Sequence, residues 1–224
     1  MNEKTKITLS AKELQLVCDK EWILTKQIII EKVYRLFGKL ALSMEHQIRE
    51  HVEILPEQAT SANPKLSRGE NYRGLPYVML DYPRHFTKGS ILAIRTLFWW
   101  GNFFSINLHL SGVCKEKAAP SLKANFAALQ QKNYSICINT EPWQHHFDND
   151  NYVPLNNYTA MEFTTMLYRE PFIKIAKRIS LQQWDAAPVF LEHHFVEMIT
   201  LLQINFPGGE KDPLPGIPIA GFDL

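Results

Sequence analysis

The sequence predicts an α+β fold: an antiparallel sheet of about five strands, helices packed mainly on one face, and a long N-terminal helix. Two patterns carry that prediction. Between Trp22 and Leu55, Ile29, Val33, Leu36, Phe37, Leu40, Met44, Ile48 and Val52 recur at three- and four-residue steps, the period of a helix with one apolar stripe. Between Phe103 and Leu110, Phe104, Ile106, Leu108 and Leu110 alternate with Ser105, Asn107 and His109, the period of a strand with one covered face.

Taken in order, Ser10-Ala-Lys-Glu13 has the form of a capping box and opens a first short helix, to which Leu14, Leu16 and Val17 give a buried side. The long helix follows, with Gly38 as a place where it can kink. Pro56 to Pro76 holds three prolines and two glycines with little periodicity and reads as a long loop. Tyr77 to Tyr82 is a short strand bounded by Pro76 and Pro83. Ile91 to Trp100 and Phe103 to Leu110 flank Gly101-Asn102, the signature of a hairpin with a two-residue turn. In that register Trp99 faces Phe104, Leu97 faces Ile106 and Arg95 faces Leu108, while Phe98, Thr96 and Ile94 share the other face with Ser105, Asn107 and His109. Tyr134 to Thr140 and Ile173 to Ile179 repeat the strand alternation. Helices are expected over Pro120–Gln131, from the capping box Thr159-Ala-Met-Glu162, and over Ala187–Gln203 with Leu191, Phe195, Met198 and Leu202 as its stripe.

The 224 residues suit a single α+β domain over 1–203, followed by a Pro/Gly-rich tail over 204–224 that is expected to be extended or disordered. Hydrophobic residues make up 46% and charged residues 21%, which excludes a disordered or fibrous chain. Lys plus Arg is 24 against 23 for Asp plus Glu, so the basic excess of a general nucleic-acid binder is missing. About 20 apolar residues span a bilayer, and the most apolar window, Leu97 to Ile106, is broken by Gly101-Asn102, so no membrane span is expected. Met1 to Ser10 is polar, without the apolar stretch of a secretory leader. Cys18, Cys114 and Cys137 form neither a disulfide framework nor a zinc site, which points to reduced thiols and a cytoplasmic location.

Four groups can bear chemistry. Trp143-Gln-His145-His146-Phe147-Asp148 brings two imidazoles and a carboxylate together, but neighbours on an extended chain point opposite ways, so ordinary loop residues are the plainer reading. His193 and Glu197 share a helix face, a spacing that suits a metal and equally a surface pair. Trp99-Trp100-Gly-Asn-Phe103-Phe104 reads as core before it reads as a partner surface. Arg68, Tyr72, Arg73, Tyr77, Asp81, Tyr82, Arg84 and His85 mix guanidinium forks with phenols at a loop–strand junction, a chemistry suited to a small anion. No nucleophile motif, P-loop or dinucleotide fingerprint occurs, and no metal or cofactor is expected.

The run Tyr72-Arg73-Gly74-Leu75-Pro76-Tyr77, with the order of elements from about Arg35 to Leu202, resembles the YktB-like group of bacterial conserved proteins, which has Arg-Gly-Tyr-x-x-Leu-Pro-His before an aromatic strand pair. Tyr77 stands where that group has His. The resemblance implies a sheet with helices on one side and no particular chemistry.

The residues favour a non-enzymatic binding protein for a small anionic ligand or a protein partner, with Arg68, Tyr72, Arg73, Tyr77, Asp81, Arg84, Thr96, Asn107 and His109 as the ligand-binding set. The alternative is an enzyme acting on a small anionic substrate, with Arg73 and Arg84 as clamps and His109 or His85 as general acid/base.

Overall fold

The structure, a computed structural model, describes residues 7–202. The expected tail at 204–224 lies outside them, as do residues 1–6. Both capping boxes form. Ser10 caps α1 (Ala11–Cys18) and Thr159 caps α6 (Ala160–Arg169), each exchanging hydrogen bonds with the glutamate three residues on. Asp19 caps α2 (Lys20–Glu50), which runs through Gly38 as one helix and buries Val33, Phe37, Leu40, Met44 and Ile48. The expected buried side of α1 is not found: Leu14, Leu16 and Val17 are exposed, with no element of the described residues under them.

The sheet has seven strands among the described residues, not about five, all antiparallel. They are β1 (Lys65–Tyr72), β2 (Leu75–Thr87), β3 (Ser90–Trp99), β4 (Phe103–Ser111), β5 (Ser135–Cys137), β6 (Tyr152–Pro154) and β7 (Phe172–Ser180), in the order β1-β2-β3-β4-β7-β5-β6. The expected loop over 56–76 instead holds the short helix α3 (Glu57–Thr60) and all of β1. As an edge strand exposed along most of its length, β1 has no apolar alternation to betray it. Its link to β2 is the turn Arg73-Gly74, both residues at positive φ. β2 passes Pro83 by a register shift between Asp81 and Arg84, where the missing N–H is no loss to the ladder.

The β3–β4 turn corrects the expected register by one residue. Trp99 pairs with Phe103, leaving a three-residue connection, Trp100-Gly101-Asn102. The Asn102 N–H closes a turn onto the Trp99 carbonyl at 3.0 Å, with Gly101 at φ +71°. Trp100 does not pair across the hairpin: its N–H donates to the Pro76 carbonyl, and its ring stacks on Trp22 of α2. The shift exchanges the two faces of β3. Ile94, Thr96 and Phe98 now lie with Ile106 and Phe104 under the helices, and Arg95, Leu97 and Trp99 lie with Asn107 and Ser105 on the other face. The reason is electrostatic. Arg95 in the expected register enters the apolar core unpaired, whereas the observed one sets it opposite Asp81.

One face of the sheet is covered by α2, by α4 (Gly112–Ala124), which begins earlier than expected and carries Pro120 inside it, by α5 (Phe126–Gln131), by α6 and by α7 (Ala187–Thr200). There Val78, Leu80, Leu92, Ile94, Phe104, Ile106, Leu110 and Ile175 meet Phe37, Met44, Leu122, Leu191 and Phe195 in the main core. Among the described residues, the other face carries no helix. It is crossed by the segment 138–151 between β5 and β6, a strap that lays Trp143, His145, His146 and Phe147 over the strands. No helix of the described residues is long and apolar enough to cross a membrane.

Candidate functional site under the strap

Between the strap and β2–β4–β7 lies a layer of buried polar groups. Asp81 and Arg95, directly opposite on β2 and β3, form a two-pronged pair: Nε donates to Oδ1 at 2.6 Å and Nη2 to Oδ2 at 2.9 Å. Arg95 Nη1 then donates to His145 Nε2 at 3.3 Å, and its guanidinium lies over the Trp143 ring. Asn107, opposite Arg95 on β4, donates its amide to the Arg95 carbonyl. Lys174 of β7 is only 1% exposed, and its ammonium donates to two strap carbonyls, Pro142 at 2.9 Å and Gln144 at 2.7 Å. Among the described residues no carboxylate lies within salt-bridge reach of it.

Tyr72 pins the strap at its other end. Its hydroxyl accepts the backbone N–H of His145 at 2.7 Å and of His146 at 3.1 Å, and donates to Gln144 Oε1 at 3.1 Å. Trp99 locks Tyr72 in turn by donating its indole N–H to the Tyr72 carbonyl. Beside this joint is a cavity of about 320 Å³, walled by Tyr72, Tyr77, Met79, Leu97 and Trp143 and floored by Arg95 and His145. Such a mostly aromatic and apolar wall with a few convergent polar groups is the usual build of a small-ligand site.

The site's titration follows from its burial and its charge. His109 sits between the rings of Trp143 and Phe172, and burial, then Lys174 and Arg95, pushes its pKa down to about 3. The same three influences hold His145 well below the usual imidazole range. Burial brings Lys174 down to about 8, against a small opposing pull from Cys137. Burial pushes the Cys137 thiol and the Tyr152 phenol up, so both are neutral near pH 7. His109 Nε2, His145 Nδ1 and the Tyr152 hydroxyl are buried without a hydrogen-bond partner among the described residues.

The residues expected to bind do not all converge. Tyr72, Tyr77, Asp81, Asn107 and His109 lie on the strap side as expected. Thr96 lies on the helix side, buried in the core, for the register reason above. Arg68 also lies on the helix side, at the edge of the sheet, against a groove formed with Lys26, Glu31 and Tyr34 of α2. His85 pairs with Leu92 and so belongs to the helix-side register, away from the strap. Arg73 is exposed and bound to Asp148 of the strap at 2.6 Å, and Arg84 donates to the Asn63 carbonyl. The two expected clamps are thus apart, each already bound to another group. The residues that do converge and were not in the expected set are Arg95, Lys174, Trp143 and His145. A charged residue inside an otherwise apolar strand run was the available signal for Arg95, and the Ile173-Lys174-Ile175 alternation for Lys174.

Comparison with protein families, with curated proteins and with solved structures found no match to this chain.

Proposed function

We propose that the protein is a binding protein for a small anionic ligand, taken into the aromatic-walled cavity beneath the strap. The observation that supports this most directly is the unbalanced charge. Asp81 neutralises Arg95, the imidazoles of His109 and His145 are held neutral, and the buried ammonium of Lys174 has two carbonyls and no counter-ion among the described residues. A buried charge without a partner is costly. A carboxylate or phosphate beside Arg95 and His145 brings the missing negative charge into the same low-dielectric layer, and its remaining body packs against Tyr72, Tyr77 and Trp143. Asp81, Arg95 and Lys174 are each engaged by other protein groups, which favours binding over catalysis.

The test is a thermal-shift and tryptophan-fluorescence titration with a panel of small carboxylates and phosphates. A true ligand at a hundredfold excess over its Kd stabilises by about 2.7 kcal/mol, a rise of several degrees. Lys174→Met keeps the length of the side chain and removes the charge; it should keep the fold and abolish the shift. A panel that leaves the midpoint unmoved, or a ligand whose effect survives in Lys174→Met, overturns the anion reading.

A further inference from the structure

On the helix-covered side of the sheet, α7 carries a second polar cluster that has no part in the strap pocket. His193 and Glu197 stand one turn apart, with His193 Nε2 3.2 Å from Glu197 Oε1. His194 Nδ1 lies 2.7 Å from Glu197 Oε2, and the three potential ligand atoms all lie within 4.8 Å of one another. Tyr134, just before β5, donates its hydroxyl to Glu197 Oε2 at 2.7 Å and lies 3.0 Å from His194 Nδ1. The sequence offered only His193 and Glu197; the fold adds the other two groups.

These distances are close to those around a metal ion. A tetrahedral zinc with bonds of about 2.0–2.1 Å has ligand atoms roughly 3.3 Å apart. The His193–Glu197 separation already matches, and the 2.7 Å contact between His194 Nδ1 and Glu197 Oε2 is a hydrogen bond that the ion would replace. We infer that His193, His194 and Glu197 form a site for a divalent transition metal of the zinc type, with Tyr134 bracing the carboxylate and solvent completing the coordination. Two imidazoles and one carboxylate suit zinc, cobalt or nickel rather than magnesium or calcium.

Two further features support a site. Glu197 is held at both oxygens: Tyr134 donates to Oε2, His194 Nδ1 lies beside the same oxygen, and Lys132 pairs with Oε1. Lys132 Nζ lies 2.6 Å from Glu197 Oε1, so a cation already stands at the carboxylate, and it does so on a half-exposed side chain that can leave. Metal uptake therefore competes with that ammonium for the carboxylate. The other group of this kind, His146, Asp148 and Asp150 on the strap, is weaker, because both carboxylates are exposed and Asp148 is taken by Arg73.

The experiment uses the untagged full chain, stripped with chelator and titrated with zinc by calorimetry and with cobalt(II) by visible absorption. The expected result is one ion per chain and the intense cobalt band of a four-coordinate site. His193 is 64% exposed, so His193→Ala folds whatever its role. It should weaken zinc by more than the about tenfold expected of a supporting group, and Tyr134→Phe by about tenfold. Lys132→Met should tighten it. Zinc uptake no greater than that of His193→Ala, or uptake that survives in His193→Ala and vanishes in Asp150→Asn, overturns the assignment.

Discussion

The two faces of the sheet are covered by different elements and held by different forces. Under the helices, Phe37, Phe98, Phe104, Leu108 and Ile173 exclude water with almost no polar atom among them, and the stabilisation is that of apolar area removed from solvent. Under the strap, Asp81, Asn107, His109 and Lys174 are buried and Arg95 is partly buried, and each depends on a named partner or goes without one. The first kind of layer tolerates a change of shape and resents a hole. The second tolerates a hole and resents an unpaired charge.

The sharpest way to separate them is to truncate one residue from each. Asp81→Ala leaves the Arg95 guanidinium buried without its carboxylate and should cost about 3–5 kcal/mol. Ile106→Ala removes only apolar contacts and should cost about 2–5 kcal/mol. Denaturant unfolding measures both, and a follow-up change of Arg95 to Met distinguishes them. It should recover much of the Asp81→Ala loss and none of the Ile106→Ala loss. Failure of that rescue erases the distinction between the faces.

Acid should act on the strap face first. His109 has a folded pKa of about 3 against about 6.5 when unfolded, so the unfolded chain takes up a proton over that interval and the folded one does not. Stability present above pH 6.5 is therefore lost as the pH falls towards 3, by an order of 1–2 kcal/mol at pH 5. The low pKa of His145 acts in the same direction. His109→Leu should flatten the pH dependence of the unfolding midpoint between pH 7 and 5, and an unchanged slope refutes the assignment. The smallest effect belongs to Asn107→Ala, which removes one 3.3 Å hydrogen bond to the Arg95 carbonyl and should cost about 0.5–1.5 kcal/mol by denaturant unfolding. A loss as large as that of Ile106→Ala would mean that this amide ties more of the layer together than its single bond suggests.

What the sequence revealed follows the same division. The helix-facing layer was legible because helix and strand periods repeat the same apolar residues, from Val33 to Ile48, from Phe104 to Leu110 and from Leu191 to Leu202. The polar side of β4 was legible for the same reason, and Asn107 and His109 came out on the right face although the hairpin register was wrong. Three things were not legible. β1 has no alternation because it is an exposed edge. The strap has no period because it is irregular chain held by Tyr72 and Lys174, residues far from it in sequence. The faces of β3 were ambiguous because Leu97 and Trp99 are as apolar as Ile94 and Phe98; only the pairing of Arg95 with Asp81 decides between them, and that is a tertiary fact.

The three-residue turn Trp100-Gly101-Asn102 has a consequence for how this gene can vary. Loop tips are ordinarily where a chain gains or loses a residue without harm. Removing Asn102 would leave the two-residue link Trp100-Gly101 with Trp99 still opposite Phe103. The faces of β3 are unchanged by it, so Arg95 stays opposite Asp81 beneath the strap and Ile94 and Phe98 stay under the helices. Losing a residue inside β3 is different: with Trp99 held at Phe103, every side chain before the gap turns over, driving Arg95 into the helix-side core. Length variation is thus expected at the tip and not within the strands it joins.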